Sequence, residues 1–269
     1  MRHPAVCLLI AAGFSVFCTP PAVATNVGVR SVEVEGTAFR ITLNDGRTLP
    51  QEQLSGTILV LGDGSGKERR IRIDGVERDL KDTAGEVLLY TLFEQDTESG
   101  DWRNLCLPDP EGRQLGFPLA GAFTQDGNYE PTHAGILLTC TGGAEGKCIR
   151  FGYKPWGFGP DHVPLAPYYQ TCVRLVRADY CGDGTSHTRD GTPIDIFDTI
   201  GIQADEPAPG MTFEAAWRAD GAVCVRHTRL PDVLDSTTLA ANCPRLKHAI
   251  GKTCDEAAPA LLFNRSFGR

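Results

Sequence analysis

The densest group of residues able to do chemistry lies between positions 179 and 198. It contains Asp179, Asp183, His187, Arg189, Asp190, Asp195 and Asp198. Hard carboxylate oxygens on a glycine-containing loop suit calcium, and Asp183, Asp190, Asp195 and Asp198 are the candidate ligands. An EF-hand places acids at alternate positions with a glycine at the sixth, and this loop does not. Hydrolysis needs a base and a carboxylate to orient it. His187 with Asp179, Asp183 or Asp190 could form that pair, with Ser186 or Thr188 as nucleophile. No Gly-x-Ser-x-Gly run accompanies them. The third reading is structural. Asp183 and Asp190 each adjoin glycine, where aspartate favours turns through local hydrogen bonds. Asp179 falls near Arg174 and Arg177, and can accept from arginine or backbone to hold the following loop. The catalytic candidates are thus Asp179, His187 and Asp190, and the structural reading leads.

Cysteines are the next reactive type. The chain has 10, of which Cys7 and Cys18 fall in a leader-like start. The remaining eight are Cys106, Cys140, Cys148, Cys172, Cys181, Cys224, Cys243 and Cys254. An even set in an exported chain reads as disulfides, each contributing roughly 2–4 kcal/mol. No Cys-x-x-Cys pair exists, and Cys140 to Cys148 is too wide for a zinc knuckle. Cys181 could act as a nucleophile only if unpaired.

The start reads as a secretory signal peptide. Arg2 and His3 precede an apolar run from Ala5 to Phe17, followed by Pro20-Pro21 and the small-x-small site Ala22-Val23-Ala24. Cleavage is expected after Ala24, giving a secreted or periplasmic protein. The run is short of the about 20 residues that a membrane span needs. The formal charge of the whole chain is −8. That disfavours nucleic acid and anionic membrane surfaces as partners. The partner is otherwise unspecified: Tyr153, Trp156, Tyr168 and Tyr169 could bind a protein or glycan, with core and loop packing the leading reading of these rings.

These residues need elements to position them. Residues 25–102 lack cysteine and read as a small antiparallel β-domain. Phe39, Ile41 and Leu43 alternate with polar residues, Ile71 and Ile73 alternate with arginines, and Val87 to Phe93 is nearly all apolar. Turns are expected at Asp45-Gly46, Asp63-Gly64 and Asp74-Gly75. The Gly-rich stretch from Gly62 to Lys67 imitates a phosphate loop. It lacks the first glycine, where Leu61 stands, and the final hydroxyl, where Glu68 stands.

Residues 103–269 form the cysteine-rich second region. Residues 103–135 are rich in proline and glycine and are expected to be mostly loop. A glycine-rich helix is expected over Thr141 to Phe151, held by packing or a bridge. A second helix is better marked. Leu165, Tyr168, Tyr169, Cys172, Val173, Val176 and Tyr180 recur at three- and four-residue steps, with Gly182 at the end. Cys172 and Cys181 would then stand roughly 13 Å apart along the axis, beyond the about 7 Å that a disulfide spans. Cys172 is instead expected to pin the helix to another element, with Cys148 the candidate. Hairpins are expected at Thr188 to Asp198, around Asp190-Gly191, and at Phe213 to Arg226, around Asp220-Gly221. The fold class is α+β, an N-terminal antiparallel β-domain followed by a disulfide-rich region with two central helices and β-hairpins.

The run Ala178-Asp179-Tyr180-Cys181 resembles the signature of the ADYC domain family. The likeness extends to Lys147-Cys148, Gly152-Tyr153-Lys154-Pro155-Trp156, Cys172 to Gly184, His187 to Thr192, Ile194-Asp195 and Phe213 to Trp217. It covers roughly residues 104–230. It implies an exported bacterial protein of unknown function and assigns no catalytic residue. The expected role is a non-enzymatic binding or structural module. The alternative is an extracytoplasmic hydrolase or a calcium-binding protein using the Asp179–Asp198 cluster.

Overall fold

The computed structural model describes residues 28–62, 66 and 68–268. The leader, the Asp63-Gly64 turn and Lys67 lie outside them. The alternating N-terminal pattern forms strands as expected. β1 (Val29–Glu35) and β2 (Ala38–Leu43) make a hairpin. Phe39 and Ile41 point into the core.

β3 (Ile58–Gly62), β4 (Glu68–Arg78) and β5 (Leu88–Gln95) follow, each antiparallel to the next. The expected turn at Asp74-Gly75 is a correction. Both residues lie inside β4, where the register against β5 slips between Ile73 and Gly75. Val76 still finds a partner in Tyr90, so the doublet makes a β-bulge rather than a reversal.

The loop expected over 103–135 is also corrected. β6 (Trp102–Asn104) pairs with β5. β7 (Gly116–Ala120) buries Phe117 and Leu119 completely. It lies between β5 and β10 (Ile136–Cys140) in a six-stranded sheet of order β10-β7-β5-β4-β3, with β6 beside β5. Between them, β8 (Ala122–Phe123) and β9 (Tyr129–Glu130) pair as a minimal ribbon. The six-stranded sheet therefore uses strands from both sides of residue 103, and one contiguous core runs from Phe39 and Leu92 to Tyr169 and Trp217.

The helices fall where the pattern places them. α1 (Ala144–Arg150) and α2 (Ala166–Arg177) pack together and are joined by Cys148–Cys172, with Cα atoms 5.8 Å apart. The remaining bridges are Cys106–Cys140, Cys181–Cys243 and Cys224–Cys254. All eight expected cysteines are thus paired. α2 lies on a second antiparallel sheet of order β11-β14-β12-β13. Its strands are β11 (Asp195–Asp198), β12 (Thr212–Arg218), β13 (Gly221–Val225) and β14 (Leu262–Ser266). The β12–β13 hairpin is the one expected. The hairpin expected over 188–198 does not form. Only its second half is strand, and β11 pairs with the distant β14. α3 (Ser236–Asn242) starts from Asp235, whose carboxylate accepts from the amides of Thr237 and Thr238. The whole is α+β.

Candidate functional site

The polar cluster is built at the exit of α2. Ala178 takes the left-handed conformation, φ +50°, and ends the helix. The amide of Asp179 then donates to the Arg174 carbonyl at 2.9 Å. This turn drives Asp179 inward, where its carboxylate meets the guanidinium of Arg174. Both side chains are about 1% exposed. The same carboxylate accepts from the amides of Gly182 at 2.9 Å, Asp183 at 3.1 Å and Gly184 at 2.9 Å. Gly182 has no alternative there. Its φ is +73°, and a Cβ would lie 2.0 Å from the Asp220 carbonyl oxygen. Arg174 also donates to the Asp126 carbonyl at 2.7 Å and to Asn128 Oδ1 at 2.7 Å. One buried ion pair thereby fastens two loops to the helix. The charge-pairing reading of Asp179 matches this geometry.

Tyr180 turns to the other side. Its hydroxyl donates to Glu214 Oε1 at 2.9 Å and accepts from the Arg229 amide at 2.8 Å. Arg229 is fully buried and grips both Glu214 oxygens at 3.1 Å. It also caps α2 by donating to the carbonyls of Leu175 and Val176. Burial, then the Glu214 charge, pushes the Tyr180 hydroxyl well above the usual tyrosine range. Burial alone would raise Glu214, but the Arg229 charge and hydrogen bonds outweigh it and hold Glu214 below its ordinary value. The Tyr180 ring stacks on Trp217 with centroids 5.1 Å apart. Glu214 and Arg229 were not candidates from sequence. The signal was a lone acid inside the apolar strand run Phe213 to Trp217, which demands a buried cation.

The other candidates disperse. Asp183 accepts from the Thr185 amide at 2.9 Å. Asp195 pairs with Arg265 at 2.9 Å. Asp198 accepts from the amides of Ile200, Ile202 and Gln203, and from the Tyr153 hydroxyl at 2.7 Å. Asp190 is exposed on the loop. Among the described residues, no three His, Cys, Asp or Glu side chains gather as a metal site. The His187 ring stacks over Tyr180 at 6.4 Å, and its burial holds the imidazole below its usual value against the pull of Asp183 and Asp179. Ser186 Oγ donates to the Arg177 carbonyl, so no nucleophile-to-base hydrogen bond joins it to His187.

Comparison with known proteins bears on this signature directly. Residues 51–231 match the family model described as the ADYC domain. The chain belongs to the ADYC domain family. The match begins in the N-terminal strands, upstream of the motifs that first suggest it. No curated protein and no solved structure matches significantly.

The second ADYC motif, Gly152 to Trp156, is also hydrogen-bonded within the fold. Lys154 Nζ bridges Asp82 and Glu86 at 2.8 Å each. Its burial favours the neutral amine, but the two carboxylates outweigh that and raise its pKa. Tyr153, Tyr168 and Tyr169 are buried, leaving Trp156 as the exposed aromatic of the four.

What the ADYC turn positions is a cleft. The loop from Ser186 to Ile194 faces α1 and the last turn of α2 across a space of about 370 Å³. The His187 amide on the Arg177 carbonyl at 3.0 Å keeps that wall in place. Lys147 and Arg177 lie on the helix side, Asp190 on the loop side, and Glu145 beside them. None of the four makes an ion pair with a described residue. The Thr188 hydroxyl is buried in the wall without a hydrogen-bond partner. A more apolar cleft of about 410 Å³ shares Arg189 to Thr192 and is lined by Pro193, Leu230 and Phe267.

Proposed function

We propose that this ADYC protein is an exported, non-enzymatic binding module. Its working surface is the cleft between α1, α2 and the loop from Ser186 to Ile194. The signature residues form the scaffold behind that surface. One observation carries this reading. Asp179, Tyr180, Glu214 and Arg229 are buried and engaged with one another or with backbone, whereas Glu145, Lys147, Arg177 and Asp190 in front of them make no ion pair with a described residue. The four signature-associated side chains are thus committed to folding rather than free for proton transfer.

Export is supported by the four disulfides, which persist in oxidising compartments. Among the described residues, no helix is long and apolar enough to cross a membrane. The leader-like start and its cleavage after Ala24 complete the proposal.

The test is a thermal-shift panel of amino acids, short peptides, mono- and disaccharides, polyols and divalent cations. It is run on the wild-type protein and on Thr192→Trp, which fills the cleft from a residue shared with the apolar neighbour. The expected result is one ligand class that stabilises the wild type and not the variant. A panel in which no class distinguishes the two proteins would defeat the assignment of the cleft.

A further inference from the structure

The cleft has a charge pattern that selects among ligand classes. Lys147 and Arg177 are half-buried cations without a carboxylate partner among the described residues. Arg177 spends one donor on the Gly184 carbonyl at 2.7 Å and keeps the rest of its guanidinium. Asp190 and Glu145 are acids with no partner of either kind among the described residues. Arg177 and Glu145 also line a small cavity toward Phe123 and Gly127 at one end of the cleft. Asp190 also lines the apolar cleft, beside Arg189, whose guanidinium is paired with Asp232. A purely anionic ligand would meet Asp190 and Glu145, and a purely cationic one would meet Lys147, Arg177 and Arg189. Between the charged groups, Phe151, Val176 and Ile194 contribute apolar wall.

We propose that the cleft binds short peptides with free ends, the carboxylate held by Lys147 and Arg177 and the ammonium by Asp190. This deepens the binding-module reading and rests on it. The apolar walls take the side chains, and the apolar cleft past Thr192 receives a longer one. A volume of about 370 Å³ lies within the usual range for small-ligand clefts. Sugars fit less well, because the one strongly exposed ring of the central aromatic group, Trp156, lines neither cleft.

Titration calorimetry on the mature protein tests this with trialanine, Ala-Leu-Ala, Ala-Phe-Ala and free alanine. Each tripeptide is also used N-acetylated and C-amidated. The expected result is binding of at least one free tripeptide, weakened about ten-fold by blocking either end. Lys147→Gln should remove the sensitivity to amidation and leave the sensitivity to acetylation. Asp190→Asn should do the reverse. Asp190 is exposed, and half-buried Lys147 has no ion-pair partner among the described residues, so each variant should melt close to the wild type. Blocked and free peptides binding equally would overturn the inference. So would failure of all four probes while another class in the thermal-shift panel still discriminates Thr192→Trp, which leaves the binding-module reading standing. Failure of every class removes both. Binding of free alanine as tightly as the tripeptides would also overturn it, since the site would then be one for amino acids.

Discussion

The carboxylate of Asp179 lies directly against the guanidinium of Arg174, both out of reach of solvent. The pair sits where a helix stops, a loop returns and a disulfide begins within three residues. Its geometry ties the ADYC run into the fold. Ala178 turns the chain, Asp179 holds the return loop, Tyr180 fills the core and Cys181 fixes the exit to Cys243.

Replacing Asp179 with Asn should therefore act on stability first. The change strips the charge opposite Arg174 and presents an amide to backbone donors. Breaking a buried ion pair costs about 3–5 kcal/mol. For a chain of this size that is a fall in Tm of roughly 10 °C. Differential scanning calorimetry would read it. An unchanged Tm accompanied by lost ligand binding would mean that Asp179 serves the ligand rather than the fold.

The disulfide pattern gives a second test. A non-reducing peptide map should yield Cys106–Cys140, Cys148–Cys172, Cys181–Cys243 and Cys224–Cys254. Replacing Cys181 and Cys243 together by serine opens the longest loop, a separation of 62 residues. The chain-entropy relation puts that loss at about 4 kcal/mol, against roughly 3.5 kcal/mol for the 24-residue separation of Cys148 and Cys172. Denaturant melts of the two double variants would rank them. A Cys172–Cys181 peptide in the map would contradict both the bridge and the continuity of α2.

Local chemistry was legible in the sequence to different depths. The face of α2 was readable because Leu165, Tyr169, Cys172 and Val173 recur at helical steps and are all buried. The hydrogen bonds of Asp179 were readable because its partners lie within five residues. β7 was not, because Gly116 and Pro118 are loop-like residues and its burial is decided by β5 and β10. Residues 188–198 failed for a similar reason. Asp190-Gly191 is a true turn, but the partner of β11 comes from β14, which no local pattern announces. Arg229 was hidden altogether. It stands alone in sequence and is explained only by Glu214 and the carbonyls at the end of α2. Long-range pairing is what a local reading lacks.

Stability should decline in two windows as pH falls. His187 has a folded pKa below its ordinary 6.5, so the unfolded chain takes up its proton first. Its contribution is complete above pH 6.5 and is lost as pH falls toward the folded value. Glu214 is likewise depressed in the fold, from an ordinary 4.5. Its contribution is present above pH 4.5 and disappears as pH falls through its folded value. Urea melts across this range should show both slopes. His187→Gln should flatten the upper window alone, and Glu214→Gln the lower one alone, the latter at a large cost in absolute stability because Arg229 is left buried and unpaired. A lower slope identical in wild type and Glu214→Gln would show that other carboxylates control acid unfolding.

The last prediction sets helix propensity against packing. Gly146 lies inside α1, where an alanine is intrinsically favoured by about 1 kcal/mol. On propensity alone Gly146→Ala should stabilise the protein. But α1 starts four residues after the end of β10, and the chain folds back so tightly that a Cβ on Gly146 would lie 2.1 Å from the Cys140 carbonyl oxygen. That oxygen is backbone, and Cys140 is tied to Cys106, so it has little freedom to retreat. Overpacking of this kind costs about 1–3 kcal/mol, and the contact is closer than any side-chain rotation relieves. The net effect should therefore be destabilising, with Tm lowered by a few degrees. Lys147 follows Gly146 and Glu145 precedes it, so a displaced α1 should also shift both cleft charges and weaken ligand binding. A variant more stable than wild type would mean that α1 stands farther from the end of β10, and the cleft geometry built on that approach would have to be redrawn.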